Sequence, residues 1–188
     1  MRRLTNWMFA AVFTLGAAIA VAVAAPTPVR IVVPGRGDIV LAVPADWAQT
    51  RAPGTENGPP TLSLKEGSGR TFHVDVTVLG RNADGTRIDP TRIRAFVGEA
   101  AKAAESQSVE KHLAIRDLPG ANGRGFYFLA TDRAPAPGEW KYLTQGAVGV
   151  GNVLLVFTIL TNDGQDEIAA AALQMVRQAT FEGPATST

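Results

Sequence analysis

His73 and His112 are the only histidines in the 188 residues, and cysteine is absent. Disulfides, thiol catalysis, cysteine zinc sites, iron–sulfur clusters and a lipidated N-terminal cysteine are excluded by that count. His73 has Asp75 two positions on. In a strand this spacing sets both side chains on one face, within reach of a shared proton or a metal ion. A metal site needs three or four ligands, and no further donor cluster accompanies the pair. The pair therefore reads as two surface side chains hydrogen-bonded to each other, and neither metal nor cofactor is expected. His112, beside Lys111, reads as a strand-flank residue.

Other short patterns fall to the same test of chemistry against context. Gly67-Ser68-Gly69 is not G-x-S-x-G and precedes a strand, so it is a turn rather than a nucleophile. Gly146, Gly149 and Gly151 have neither the following helix nor the lysine of a phosphate cradle. A strand bend or bulge is expected there. Asn82-Ala83-Asp84-Gly85 opens like a calcium loop, but Ile93 stands where the twelfth-position glutamate belongs. A polar turn is the reading. Arg87, Arg92 and Arg94 gather near one helix start and could hold an anionic group, although solvated arginines are the commoner outcome. Asp75, Asp117, Asp132 and Glu139 are carboxylates able to converge from afar. The candidates for a binding surface are aromatic: Trp47, Trp140 and Tyr142. The last two share a strand face, while Trp47 sits in a proline-bearing stretch. Burial is the competing use, with Trp47 closing one end of the core and Trp140 covering a sheet edge.

The elements that position these residues follow from pattern. Val29–Val33 and Asp38–Val43 bracket Pro34-Gly35-Arg36-Gly37, which makes a hairpin. Pro44 to Pro60, with four prolines and two glycines, reads as loop. Thr61–Lys65 and Thr71–Leu79 make a second hairpin, with Phe72, Val74, Val76 and Val78 on one face. Asp89 caps a helix whose first residue is Pro90, and Ile93, Phe96, Val97, Ala100 and Ala104 form its apolar stripe. Strands are expected at Val109–Asp117, Gly125–Thr131, Lys141–Gly149 and Val153–Thr161. The last is almost continuously apolar and belongs at the sheet centre. A closing helix carries Asp166 and Glu167 in its first turn and buries Ile168, Ala171, Ala172, Met175 and Ala179. The fold class is α+β, an antiparallel sheet of about six to eight strands flanked by two main helices.

Residues 1–24 read as a secretory signal peptide. Arg2 and Arg3 open the chain, an apolar run follows from Trp7, and Ala22-Val23-Ala24 gives an A-x-A close. The alternative is an uncleaved anchor, since about 19 apolar residues reach across a bilayer. The alanine and valine content of its second half argues against insertion. Loss of residues 1–24 removes two arginines and leaves 16 basic residues against 17 acidic. That balance offers nothing to nucleic acid. Residues 25–181 then form a single domain and 182–188 a tail.

Val43-Pro44-Ala45-Asp46-Trp47 after an early strand resembles the PsbP-like fold family. So does the pair Gly146–Gly149 and Val153–Leu160, leading into a C-terminal helix with Ala172-Leu173-Gln174-Met175. That family includes extrinsic photosystem II proteins, Ran-binding nuclear proteins and bacterial envelope proteins. The resemblance implies a sandwich of antiparallel sheet and helices, implies no single activity, and transfers no functional residue.

The expected function is that of an exported, periplasmic or secreted, non-catalytic envelope protein that binds a partner protein or assists an assembly. The alternative is a carrier of a small apolar ligand between sheet and helix. N-terminal sequencing of the native protein is expected to read from Ala25. A membrane-bound product retaining residues 1–24 would contradict the cleaved leader.

Overall fold

The computed structural model describes residues 25–33, 37–55, 58–67 and 72–183. The leader at 1–24, the Pro34-Gly35-Arg36 turn, Ser68 with Gly69, and the tail from 184 lie outside the described residues. Ten strands and two α-helices are arranged in order: β1 (Thr27–Val33), β2 (Gly37–Val43), β3 (Trp47–Ala52), β4 (Thr61–Glu66), β5 (His73–Arg81), α1 (Pro90–Ala104), β6 (Arg116–Pro119), β7 (Arg124–Thr131), β8 (Tyr142–Val150), β9 (Val153–Thr161), α2 (Asp166–Arg177) and β10 (Thr180–Glu182). Seven strands form one antiparallel sheet in the order β3-β4-β5-β9-β8-β7-β6, and β1-β2-β10 form a second.

The long apolar run does become the fourth of seven strands. Along β9, Val153, Leu155, Phe157 and Ile159 are buried, while Leu154 and Val156 on the other face are half-buried. The first set meets β1, β2 and α2 in one cluster with Ile39, Leu41, Leu64, Val76, Met175 and Val176. The second face packs against α1 through a smaller cluster of Ile93, Val97, Ala101, Phe126, Phe128 and Ala147. The sheet thus lies between α1 on one side and α2 with the small sheet on the other.

Helix α1 starts as its sequence dictates: Asp89 Oδ1 accepts the Thr91 amide at 2.8 Å, and Pro90 needs no acceptor. Its stripe differs from expectation. Ile93, Val97 and Ala101 are buried, but Phe96 is 42% exposed. The helix packs chiefly on β7 and β8 and meets β9 only through Leu154 and Val156, so Phe96 overhangs the sheet on the flank toward β5. In α2 the buried positions are Ile168, Ala172, Met175 and Val176, with Ala171 partly buried and Ala179 just beyond the helix.

Three other elements depart from the sequence expectation. Trp47–Ala52 is a strand, paired with β4 from Trp47↔Glu66 to Ala52↔Thr61, where a loop was expected. As an edge strand it buries only Trp47, so no apolar alternation marks it, and Pro44 and Pro53 flank rather than interrupt it. The expected strand at Val109–Asp117 shrinks to Arg116–Pro119. Upstream of it the ladder is reduced to a Ser108↔Asp132 bridge and the Val109 amide on the Thr131 carbonyl at 2.8 Å, and a side chain supplements it: the Glu110 carboxylate accepts from the Thr131 amide at 2.9 Å and its hydroxyl at 2.7 Å. Finally Thr180–Glu182 pairs with β2, and Glu182 bonds Arg30 across the small sheet.

Gly146 lies in unbroken register, with Phe157 on one side and Tyr127 on the other, where a bend was expected. A Cβ there would sit 2.3 Å from the Phe126 carbonyl oxygen and 2.6 Å from the Phe157 ring. The glycine makes room for Phe157, which is fully buried. Phe157→Ala is expected to cost about 3–5 kcal/mol and Leu155→Ala about 2–5 kcal/mol. Urea unfolding midpoints check both, and unchanged midpoints would remove β9 from the core.

Candidate functional site

The segment between β7 and β8 carries Trp140 to the end of the sheet. Asp132 donates its amide to the Lys141 carbonyl at 2.8 Å, closing the loop. Its carboxylate accepts the Ala134 amide at 2.9 Å, and the Glu139 carboxylate accepts the Ala136 amide at 3.1 Å. Gly138, at φ +88°, completes the turn in a conformation that side chains avoid. Arg133 donates to the Ser108 carbonyl at 2.7 Å, tying the loop to the chain that leaves α1.

A cleft of about 270 Å³ opens here, walled by Trp140, Tyr142, Ser108, Asp132, Leu143 and Leu160. The structure therefore brings together two of the three aromatic candidates. Trp140 also meets the His73 ring at a centroid distance of 5.8 Å. Its indole Nε1 is buried and has no hydrogen-bond partner, a donor left without an acceptor. Trp47 does not join them. It is 8% exposed and packs on Phe72 at 4.7 Å, in the core position that its burial use anticipated.

Tyr142 lines a second cleft of about 390 Å³ with Thr144, Thr161, Glu110, Arg116 and Asp166. Its hydroxyl donates to Asp163 Oδ1 at 2.6 Å, and Lys141 Nζ reaches the same carboxylate at 2.9 and 3.0 Å. The Tyr142 bond first, and Lys141 second, hold the Asp163 carboxyl below its ordinary range. The same carboxylate raises Lys141. Glu110 is lowered too. Burial opposes that shift, but the Thr131 amide and hydroxyl outweigh it.

The remaining candidates take quieter positions. The His73 Nε2 atom lies 2.9 Å from Asp75 Oδ2, and Ser63 Oγ donates to Asp75 Oδ1 at 2.6 Å. The carboxylate stands between the hydroxyl and the imidazole, so the histidine has no line to the serine proton. Among the described residues no group of three metal-ligating side chains forms. His112 pairs with Glu105 at 2.9 Å, in the stretch that was expected to be strand but precedes β6. Asn82 and Asp84 make a turn: Asp84 Oδ1 accepts the Thr86 amide and hydroxyl at 3.0 and 2.7 Å. Arg94 lies over the Phe126 ring at 5.2 Å and 4.0 Å from Asp117. Arg87 and Arg92 leave it for a separate groove.

Sequence reasoning missed Ser108 and Leu160 as cleft walls, because register and the Arg133 tether bring them in from distant segments, while Asp132 and Glu139, two of the four carboxylates it named, do meet at this cleft. The only signal for the missed walls is position: Leu160 stands opposite Leu143 across the ladder.

The whole arrangement superposes on a solution structure of cyanobacterial PsbP from Synechocystis sp. PCC 6803, with a TM-score of 0.51. The match spans 89% of this chain and 99% of that one, at 13% sequence identity. The fold is PsbP-like. Neither a protein-family model nor a curated protein matches the sequence. At this identity the PsbP-like likeness concerns the path of the chain, and the clefts above belong to this sequence's own side chains.

The acid limb of stability has a defined sign at this site. The stabilisation from Asp163 is present above the pKa of the unfolded chain and is lost as pH falls through its lowered folded value. NMR titration is expected to show the Asp163 pKa rising toward its ordinary value in Tyr142→Phe. An unmoved value would refute the assigned cause.

Proposed function

We propose that this chain is an exported, non-catalytic envelope protein that binds a partner protein, or assists an assembly, through the cleft at Trp140 and Tyr142. One observation carries the reading: the Trp140 indole N–H is buried at a cleft wall without an acceptor. A lone buried donor costs about 1–3 kcal/mol, which a partner's carbonyl would recover once the indole turns its N–H toward the cleft. Aromatic side chains with a polar tip are also those that dominate protein interfaces.

The surroundings support the choice. Asp132, Glu139 and Lys141 ring the cleft with charge, as a polar rim surrounds an apolar centre in protein interfaces. Beneath each helix the core is filled by buried side chains, Ile93 and Val97 on one side and Ile168 and Met175 on the other, and the groove beside α1 opens at the surface rather than enclosing a cavity. That filling favours surface recognition over carriage of an apolar ligand inside. Among the described residues no helix is long and apolar enough to cross a membrane. The PsbP-like fold suits a binding module and brings no catalytic set with it.

Photocrosslinking from a probe placed beside the cleft, in the native envelope, is the direct test. A defined partner is expected to crosslink to the parent protein and to be lost in Trp140→Ala and Tyr142→Ala while thermal unfolding stays cooperative. A hydrolase screen that instead finds turnover dependent on Asp75, Asp132 or Glu139 would overturn the non-catalytic reading.

A further inference from the structure

At the opposite end of β9 from Trp140, a groove of about 520 Å³ runs between α1 and the sheet. Two large apolar side chains stand exposed on it, each for a structural reason. Strand β5 slips register between Val78 and Gly80, so Leu79 is the extra residue of a bulge and has no partner on β9. Bulges re-aim side chains, and Leu79 is 48% exposed. Across the groove Phe96 overhangs from α1, 42% exposed although it belongs to the helix's apolar stripe. Half-buried Leu154 of β9 lies on the groove. An apolar pair left wet on both walls of one depression is the mark of a docking surface.

The charge on the groove selects the partner. Arg81, Arg87 and Arg92 line it, against the single carboxylate of Asp89, which is engaged in capping α1. Arg81 is half-buried and already has an interaction partner, whereas Arg87 and Arg92 are exposed. The expected mature chain is close to neutral, which makes this concentration of guanidinium groups local. The backbone that presents them is held in advance. Asn82 Nδ2 donates to the carbonyls of Thr86 and Arg87, both at 3.1 Å, and the Ile88 amide reaches the Gly151 carbonyl at 3.2 Å. A preorganised loop loses little freedom when a ligand arrives.

We propose that this groove docks an acidic segment of a partner protein. One apolar side chain of that segment sits between Leu79 and Phe96, and its flanking carboxylates meet Arg87 and Arg92. Guanidinium groups pair with carboxylates by two parallel hydrogen bonds, which fixes direction as well as strength. The groove is concave, so it suits a projecting side chain better than the broad plane of a lipid headgroup layer.

The probe is a short fluorescein-labelled peptide with a central phenylalanine flanked on each side by aspartates, read by anisotropy with the full-length protein. Binding is expected, weakened by about tenfold in Arg87→Glu/Arg92→Glu and similarly in Phe96→Ser. It is also expected to weaken when salt rises from about 0.05 M to about 0.3 M. All three positions are solvent-exposed or partly so, and an acidic residue suits the start of α1, so melting temperatures should stay near the parent's. Replacing the central phenylalanine by alanine, or the aspartates by lysines, should abolish the signal. Binding that survives all of these changes would overturn the proposal. So would vesicles of anionic lipid binding in an arginine-dependent manner where the peptide does not, or arginine-dependent self-association in sedimentation. Trp140→Ala should leave the peptide signal unchanged, which separates this groove from the Trp140 cleft.

Discussion

Seven strands spaced about 4.8 Å apart make a sheet roughly 29 Å wide, and both of its faces must be covered or made polar. A single helix, about 10 Å across, covers two strands. The chain meets this constraint unequally. On one face α2 and the β1-β2-β10 sheet together bury β4, β5, β9 and β8 in one continuous cluster. On the other, α1 covers β7 and β8 and reaches β9 only in part. On that face central strand β9 has Leu154 and Val156 beneath α1, and Leu160 beyond it at the Trp140 cleft.

The uncovered half of the α1 face is made wettable by cross-strand hydrogen bonds. Thr61 and Thr77 share one at 2.9 Å, Ser63 meets Asp75 at 2.6 Å, and Gln145 meets Thr158 at 3.3 Å. His73 and Asp75, which by spacing alone admit a metal or a catalytic reading, belong to this polar face. Their proximity answers the demand of an open sheet surface, and the hydroxyl-carboxylate-imidazole order follows from register. Residue types that can do chemistry are thus also those that let a β-sheet face water.

Legibility in the sequence follows the same division. Strand β9 is readable because burial on two faces leaves an apolar run, and α1 because Asp89-Pro90 marks its start whatever packs on it. Strand β3 is not, since an edge strand held by backbone pairing leaves no pattern in Ala48, Gln49, Thr50 and Arg51. Strand β10 is hidden by its length of three residues. Phe96 misleads for a tertiary reason: its spacing fits the buried stripe, but no periodicity says how wide a surface the helix will meet. The candidate site was half legible. Two aromatics two positions apart identified the cleft wall at Trp140 and Tyr142, whereas Trp47 became a core residue only once β3 laid it on Phe72.

Both clefts argued to bind occur where α1 ends. Ala104, at its C-terminus, borders the Trp140 cleft, and Arg92 with Phe96, near its N-terminus, border the arginine groove. This is a consequence of geometry. A 15-residue helix is about 22 Å long and is laid on a broader sheet, so it leaves a step along its flank and at each end. Side chains at a step have neighbours on one side only, which is the condition for a half-exposed aromatic or an unpaired donor. The opposite face has a step of its own at the start of α2, where Asp166 and Ala169 border the second cleft at Tyr142. The two binding surfaces proposed for this molecule therefore both lie along the limits of α1, and the PsbP-like fold leaves the chemistry of those limits to the local sequence.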